Sequence, residues 1–204
     1  FISKADGLPK DRLGMPGAHG MRFYSNGPHV QEYLSGFKSE VLDGYDCMTI
    51  GEAPMLPPKK ALRYIAEGED QTLDMMFSFD HMQADCLFTE YVPLPFSLRK
   101  LKDAFGRWQR MLDGKAWNAL YLENHDHPRV ISRYGNEAFR VESGKMLAVC
   151  YLFQKGTPFV YQGQEIGMVN THFATIDELP DVSAHNQYRR MREQGKTDDG
   201  AMVV

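Results

Sequence analysis

Short apolar runs alternate with longer segments of helical periodicity along most of this chain. The apolar runs cover residues 47–50, 73–79, 117–122 and 157–161. The clearest helix is predicted over residues 97–112, with Ser97 as its N-cap and an apolar stripe made of Leu98, Leu101, Phe105, Trp108 and Leu112. Strands that alternate with helices in this way predict an α/β protein with a parallel sheet.

Three further helices are predicted from the same periodicity, over residues 29–42, 58–67 and 137–154. Gly156 is expected to cap the last of them, and Pro158 fits only near the start of the following strand. Met75 and Met76 lie inside an apolar run, so we expect both in the core.

The spacing of the strand ends favours half of an eight-fold β/α barrel. The ends, taken at Glu52, Asp80, Asn124 and Gln162, lie roughly 30 to 45 residues apart, and a barrel uses about 30 residues for each unit, or more with insertions. A small doubly wound sheet is the rival architecture. Such a sheet more typically has a glycine-rich phosphate loop after its first strand, which this sequence lacks.

Composition excludes several classes of function. The chain has 204 residues, of which 43% are hydrophobic and 25% charged, with a net charge of -4. These values are ordinary for a globular protein and do not argue for a nucleic-acid or membrane partner. No apolar run has the length of a membrane span. The three cysteines, Cys47, Cys86 and Cys150, are far apart and odd in number, which indicates reduced thiols and a cytoplasmic location.

Both ends of the sequence suggest that the chain is a fragment. Phe1 is not a start methionine, and the apolar residues 201–204 carry no stop signal. We therefore expect residues 1–204 to be one part of a longer catalytic domain. The oligomeric state is not predicted.

Acidic or amide side chains follow every predicted strand. Glu52 follows the first, Asp80 the second, residues 123–126 the third and Glu165 the fourth. Because the carboxyl ends of parallel strands meet at one edge of a sheet, these side chains should line a common cup. Such a cup suits glycoside chemistry, in which one acid protonates the leaving oxygen and other carboxylates stabilise an oxocarbenium-like centre.

Simpler interpretations remain open for each of these side chains. Glu52 could be a solvated loop acid, and Asp126 a turn acid before Pro128. His125 and His127 could hold a metal together with Asp126, but no further cluster at ligand spacing supports one. No metal and no cofactor are therefore predicted. Asp80 and Glu165 are expected to be structural.

Long motifs then carry a resemblance to a known family. The segments MTIGEAP (48–54), NHDHPRVISRYGN (124–136) and GTPFVYQGQEIGM (156–168) follow one another in the order found in the catalytic barrel of the α-amylase superfamily. Within it, the chain resembles the oligo-1,6-glucosidase and α-glucosidase subgroup. The resemblance covers nearly the whole chain and implies a partial TIM (β/α)8 barrel, approximately strands 5 to 8 with their helices.

The resemblance also implies a retaining mechanism and a set of site residues. Glu52 would be the general acid/base, and Asp126 would bind sugar hydroxyls and help to stabilise the transition state. His125 and Asn124 would contact the same sugar, and Arg129 would orient Asp126 or contact substrate. The site around Glu52 is expected to be partly desolvated, with other carboxylates near. The implied partner is a small oligosaccharide, with terminal α-1,6- or α-1,4-linked glucose.

Two departures from the subgroup qualify this interpretation. The nucleophilic aspartate would lie just upstream of residue 1, and the C-terminal β-sandwich is absent, so the isolated chain is expected to be inactive and poorly soluble. Position 127 is His where the subgroup usually has Gln, and we expect its side chain to face solvent. The alternatives are a transglycosylase such as a sucrose isomerase, or a catalytically dead binding relative, although Glu52 and Asp126 are both present.

Overall fold

The computed structural model describes residues 27–54, 56–87 and 89–197. The helices are α1 (Val30–Glu40), α2 (Pro58–Ile65), α3 (Leu98–Leu112), α4 (Val130–Tyr134), α5 (Arg140–Leu152) and α6 (Val182–Glu193). The strands are β1 (Ile50–Glu52), β2 (Met75–Phe77), β3 (Cys86–Leu87), β4 (Thr89–Pro93), β5 (Ala119–Leu120) and β6 (Thr157–Pro158). Short 3-10 helices lie at Leu42–Gly44, Asp80–Gln83, Glu137–Phe139, Gln164–Ile166 and Ile176–Glu178.

Four of the strands form a parallel sheet with the order β1-β2-β5-β6. Helix α2 connects β1 to β2, α3 lies between β2 and β5, and α4 and α5 lie between β5 and β6. The predicted parallel α/β arrangement is therefore confirmed. Strands β3 and β4 pair antiparallel in a separate ribbon after β2, which the periodicity of the sequence did not predict.

The first strand begins later than predicted. The sequence pattern placed it at residues 47–50, whereas the ladder runs from Ile50 to Glu52. Before it, the backbone N and the Oγ1 of Thr49 both donate to Oδ2 of Asp74, at 2.6 and 2.7 Å. A side chain from the neighbouring segment therefore anchors the approach to β1.

Helix α3 matches its prediction closely. Its buried residues are Leu101, Ala104, Phe105, Trp108 and Leu112. Ser97 is the N-cap, since its Oγ accepts a hydrogen bond from the backbone N of Lys100 at 3.3 Å. Leu98 is 60% exposed, so the apolar stripe begins one turn later than the spacing indicated.

Replacing Ser97 with alanine should lower the free energy of unfolding by about 1 kcal/mol, because the Lys100 amide loses its acceptor. Ser97→Asp keeps a capping oxygen and is the matched control. Urea unfolding and amide exchange at Lys100 measure the effect. An unchanged exchange rate at Lys100 in the alanine variant would contradict the assigned cap.

The helix predicted over residues 137–154 has different ends. Asn136 caps a 3-10 turn, its Oδ1 accepting from the Ala138 amide at 2.9 Å, and α5 proper begins at Arg140. The C-cap of α5 is Phe153, so the prediction that Gly156 caps this helix was wrong. Gly156 instead has φ +146°, and a Cβ there would lie 2.5 Å from the Asn118 carbonyl oxygen. The glycine lets the chain approach β5 closely enough to begin β6.

Among the residues that the structure describes, two clusters make up much of the core. One packs α2 and α3 against β2 and contains Leu56, Ala61, Tyr64, Ile65, Met76, Trp108, Leu112 and Ala116. The other packs α3, α4 and α5 around β5 and contains Ala84, Leu101, Phe105, Leu120, Leu122, Val130, Ile131, Tyr134, Leu147 and Tyr151. Met75 and Met76 are both buried, as predicted.

Candidate active site

The carboxyl edge of the sheet begins with Glu52, the last residue of β1. Register pairs Glu52 with Phe77 of β2, and β2 in turn pairs with β5. Adjacent strands are about 4.8 Å apart, so β1 and β5 end roughly 10 Å from each other. The residues that follow β1 and β5 therefore share one edge of the sheet.

Glu52 is exposed, which differs from the partial desolvation expected for it. The reason is its position: β1 is an edge strand of the described sheet, with a neighbour on one side only. Its charge nevertheless reaches the buried Tyr121. Burial and, second, the charge of Glu52 raise the pKa of the Tyr121 hydroxyl.

An aromatic cluster lies beneath this edge. The ring of Phe77 packs edge-on against Tyr121 at 5.3 Å and against Phe159 at 4.8 Å, and Phe79 packs against Tyr121 at 5.9 Å. The cluster joins residues from β2 with residues that follow β5 and β6. Aromatic rings of this kind give a site an apolar surface beside its few polar groups.

The side chains that follow β2 have structural partners. Oδ2 of Asp80 accepts from Nη2 of Arg107 at 2.7 Å and from Nε1 of Trp108 at 2.9 Å, both on α3. His81 is 2% exposed and stacks on Phe105, with ring centroids 5.1 Å apart. Burial lowers the pKa of His81 to about 3, so the ring is neutral near pH 7. Asp80 is thus structural, as the sequence interpretation held.

Glu123 is a buried carboxylate to which the sequence interpretation gave no role. Its side chain is 1% exposed. Oε1 accepts from Nη1 of Arg129 at 2.8 Å, and Oε2 accepts from the Val130 amide at 2.6 Å, at the start of α4. A carboxylate that accepts N–H groups at a helix N-terminus is stabilised there by the helix dipole and by hydrogen bonds.

Arg129 has other partners than those predicted. Besides Glu123, its Nη1 donates to the Gln162 carbonyl oxygen at 2.8 Å, and its guanidinium lies over the Tyr161 ring, 4.8 Å from the centroid. The idea that Arg129 orients Asp126 is therefore corrected: the arginine joins the end of β5 to the loop after β6. Contact between Arg129 and substrate remains a prediction.

Asn124, His125 and Asp126 form the turn after β5. Oδ1 of Asn124 accepts from the Asp126 amide at 3.0 Å, an Asx-type turn. Nε2 of His125 and Oδ2 of Asp126 are 3.5 Å apart, with side chains 71% and 58% exposed. Asn124 thus shapes the turn, and the two other side chains are open to solvent at the same edge as Glu52.

His127 does not face solvent, so the expectation for this position was wrong. Its side chain is 12% exposed, and its Nδ1 lies 2.6 Å from Oε1 of Glu90 on β4. The ring also packs near Phe79, with centroids 5.8 Å apart. Glu90 is 37 residues away in sequence, which is why local spacing gave no signal of this pair.

The loop after β6 is held by its own polar groups. Oε2 of Glu165 accepts from the Gly163 amide at 2.8 Å, which agrees with a structural role for this acid. Gly163 has φ +92°, and a Cβ there would lie 2.2 Å from Sδ of Met168 and 3.2 Å from Nη2 of Arg129. This glycine therefore allows Arg129 to reach the loop.

Within the described ranges, no group of three or more His, Cys, Asp or Glu side chains is arranged to hold a metal ion. No helix in those ranges is long and apolar enough to cross a membrane. The predictions about residues 1–26, including the position of a nucleophile just before Phe1, lie outside the described residues.

Comparison with known families finds one family whose catalytic domain matches almost the whole chain. The model of the α-amylase catalytic domain matches residues 1–202. The chain is 42% identical, over 99% of its length, to an oligo-1,6-glucosidase from Parageobacillus thermoglucosidasius, of which it covers 37%. It spans only about a third of the length of this relative and of the solved structures it resembles.

Solved structures of known enzymes share its fold. A trehalose-6-phosphate hydrolase from Bacillus licheniformis superposes with a TM-score of 0.83 at 39% identity, over 92% of this chain and 34% of that one. An isomaltulose synthase from Erwinia rhapontici NX5 superposes with a TM-score of 0.78 at 31% identity, over 88% of this chain and 33% of that one.

Proposed function

Because this chain belongs to the α-amylase catalytic-domain family, we propose that the protein containing it is a retaining α-glucosidase. It would release terminal α-linked glucose from short oligosaccharides. The observation that carries the proposal is a difference in hydrogen bonding and exposure among the acids at the carboxyl edge of the sheet. Asp80 and Glu123 are engaged in structural hydrogen bonds, whereas Glu52 and Asp126 are open to solvent.

The proposed roles follow from these positions. Glu52 protonates the leaving oxygen and then activates water, a role that needs a carboxyl group accessible to both substrate and solvent. Asp126 binds the hydroxyls of the same sugar and offsets charge that develops at the anomeric carbon. His125, beside it, donates to a hydroxyl, and Asn124 keeps the turn in shape. Arg129 supports the turn through Glu123.

We also propose that the sheet corresponds to strands five to eight of a β/α barrel, with residues 1–204 forming the second half of the catalytic domain. Glu52 and Asp126 lie in the motifs that resemble strands five and seven. The nucleophile of a retaining mechanism would then come from a preceding strand, and residues 1–204 alone should show no glycoside turnover. A cytoplasmic location stays a prediction, and it rests on three free cysteines.

The identity of the substrate is argued from charge. Arg107, Arg129 and Arg133 are each paired with a carboxylate, which offsets the positive charge that they would offer to a phosphate group. This favours a neutral sugar over a phosphorylated one such as trehalose 6-phosphate. Transglycosylation is the second candidate, since an isomaltulose synthase shares the fold, but its identity is lower than that of the glucosidase.

Product analysis on the natural protein that contains this sequence tests the proposal. Isomaltose, maltose, sucrose and trehalose 6-phosphate would be offered separately. We expect free glucose from isomaltose or maltose. Isomerised disaccharide formed from sucrose would indicate that the protein is a transglycosylase and not a hydrolase. Cleavage of trehalose 6-phosphate alone would overturn the argument from paired arginines, and no product from any sugar would support a binding relative.

A further inference from the structure

The turn that carries Asp126 has little support of its own. Its internal hydrogen bonds are the contact from the Asp126 amide to Oδ1 of Asn124 at 3.0 Å and a long one, from the His127 amide to the Asn124 carbonyl at 3.4 Å. The side chains of His125 and Asp126 point into solvent. Glu123 and Arg129 fix the flanks of the turn, and His127, its last residue, is fixed separately.

That residue, His127, is held by Glu90. The Glu90 carboxylate is ionised: burial opposes ionisation, but the hydrogen bond from His127 and the charge of Arg133 outweigh it and lower the pKa of Glu90 to about 2. An ionised carboxylate only accepts hydrogen bonds, so Nδ1 of His127 must be the donor in the 2.6 Å contact. Hydrogen bonds to a charged acceptor are among the stronger ones in proteins.

The same oxygen of Glu90 also binds α4. Nη1 of Arg133 donates to Oε1 of Glu90 at 2.9 Å. The guanidinium, 4% exposed, is further fixed by Nε and Nη2, which donate to the two carboxylate oxygens of Asp85 at 2.7 and 2.6 Å, and by a bond to the Met82 carbonyl. The β3–β4 ribbon is thereby joined to both ends of residues 127–133.

We propose that Glu90 is a positioning residue for the candidate sugar-binding turn, holding Asp126 in place by binding His127 and Arg133 with one carboxylate. The inference rests on the proposed function, because it assigns consequences for turnover to residues that do not touch sugar. Its basis is geometric. The β3–β4 ribbon lies outside the parallel sheet, and its residue Glu90 contacts His127 at the end of the turn.

The expected consequence is kinetic. Asp126 acts mainly on the transition state, so a displaced turn should lower kcat more than it raises KM. A misplacement of about 1 Å at a reacting centre can reduce the rate roughly 100-fold. Loss of the Glu90–His127 bond should therefore lower kcat by roughly 10- to 100-fold, with a small change in KM.

Steady-state kinetics of four variants of the natural protein tests this. His127→Leu removes the donor while the Glu90–Arg133 pair stays intact, so it is the main variant. His127→Asn is the matched control, because the asparagine amide nitrogen occupies about the position of Nδ1 and can still donate to Glu90. Glu90→Leu, which removes the accepting oxygen, and the double variant Glu90→Leu/His127→Leu complete a cycle. Circular dichroism and thermal unfolding establish that each variant is folded.

The proposal predicts a lowered kcat for His127→Leu and Glu90→Leu, near wild-type kcat for His127→Asn, and no further loss in the double variant relative to Glu90→Leu. An unchanged kcat in folded His127→Leu would overturn it, as would an asparagine variant that is as damaged as the leucine one. Should Glu90→Leu fail to fold, the two His127 variants decide alone. If the wild type turns over none of the four sugars, the proposed function fails, and this inference fails with it.

Discussion

Glu52→Gln in the natural protein should lower kcat on isomaltose or maltose by roughly 10²- to 10⁴-fold, the usual range for loss of a general acid/base. Glutamine is close in size to glutamate and fills the same space at the end of β1. The free energy of unfolding should therefore change by less than about 0.5 kcal/mol. Kinetics and urea unfolding of the same preparation measure both quantities.

The leaving group provides a sharper test of this role. Nitrophenolate leaves without needing a proton, so kcat/KM for a nitrophenyl glucoside, which reports the glycosylation step, should fall less in the Glu52→Gln variant than kcat/KM for the natural disaccharides. Asp80→Asn is the matched control, an acid at the same edge that holds Arg107 and Trp108. Equal losses of kcat/KM on both substrates, or similar kinetics for the two variants, would argue against Glu52 as the acid.

Glu123→Ala should destabilise the protein by about 3 to 5 kcal/mol, because removing one partner of a buried pair leaves the other charge uncompensated. Here the groups left behind are the Arg129 guanidinium and the Val130 amide at the start of α4. Chemical unfolding measures the change. Glu165→Ala is the control, since Glu165 is exposed and its side chain accepts a bond from the Gly163 amide.

A double variant distinguishes the loss of the Glu123–Arg129 ion pair from the loss of Glu123 alone. Glu123→Leu with Arg129→Met removes both charges and keeps side chains of similar volume, so it should be more stable than Glu123→Ala. If Glu123→Ala costs less than about 1 kcal/mol, the buried carboxylate is not a structural anchor. The kcat of the folded double variant, compared with that of the wild type, shows whether Arg129 contributes to turnover in addition to its bond to Glu123.

The elements that local patterns define were predictable from the sequence. The apolar stripe and cap of α3 depend on residues within a few turns of each other, and so does the burial of Met75 and Met76. The order of strands and helices predicted the parallel sheet, because a parallel connection needs a crossover. The boundaries were less accurate, as β1 shows, since side-chain contacts such as Thr49–Asp74 decide where a ladder begins.

The support of the candidate site was not predictable in this way. The bonds from Arg133 to Asp85 and from His127 to Glu90 join residues 48 and 37 positions apart. Charge alone could not distinguish Glu123, which is buried, from Asp126, which is open, although the two residues are close neighbours in the sequence. Glu123 is the acid that becomes buried because it accepts a hydrogen bond from the Val130 amide at the start of α4. The residue at which α4 starts is set by packing of the whole structure.

The openness of Glu52 and Asp126 has a practical consequence. Since Asp80 and Glu123 stabilise the fold through their hydrogen bonds, the proposed acid, Glu52, can be neutralised without removing those contacts. A protein carrying Glu52→Gln would then behave as a lectin towards its own substrate, retaining the sugar without processing it. Immobilised on a resin, it would serve as a capture reagent that draws the preferred oligosaccharide out of a mixture of plant or microbial saccharides.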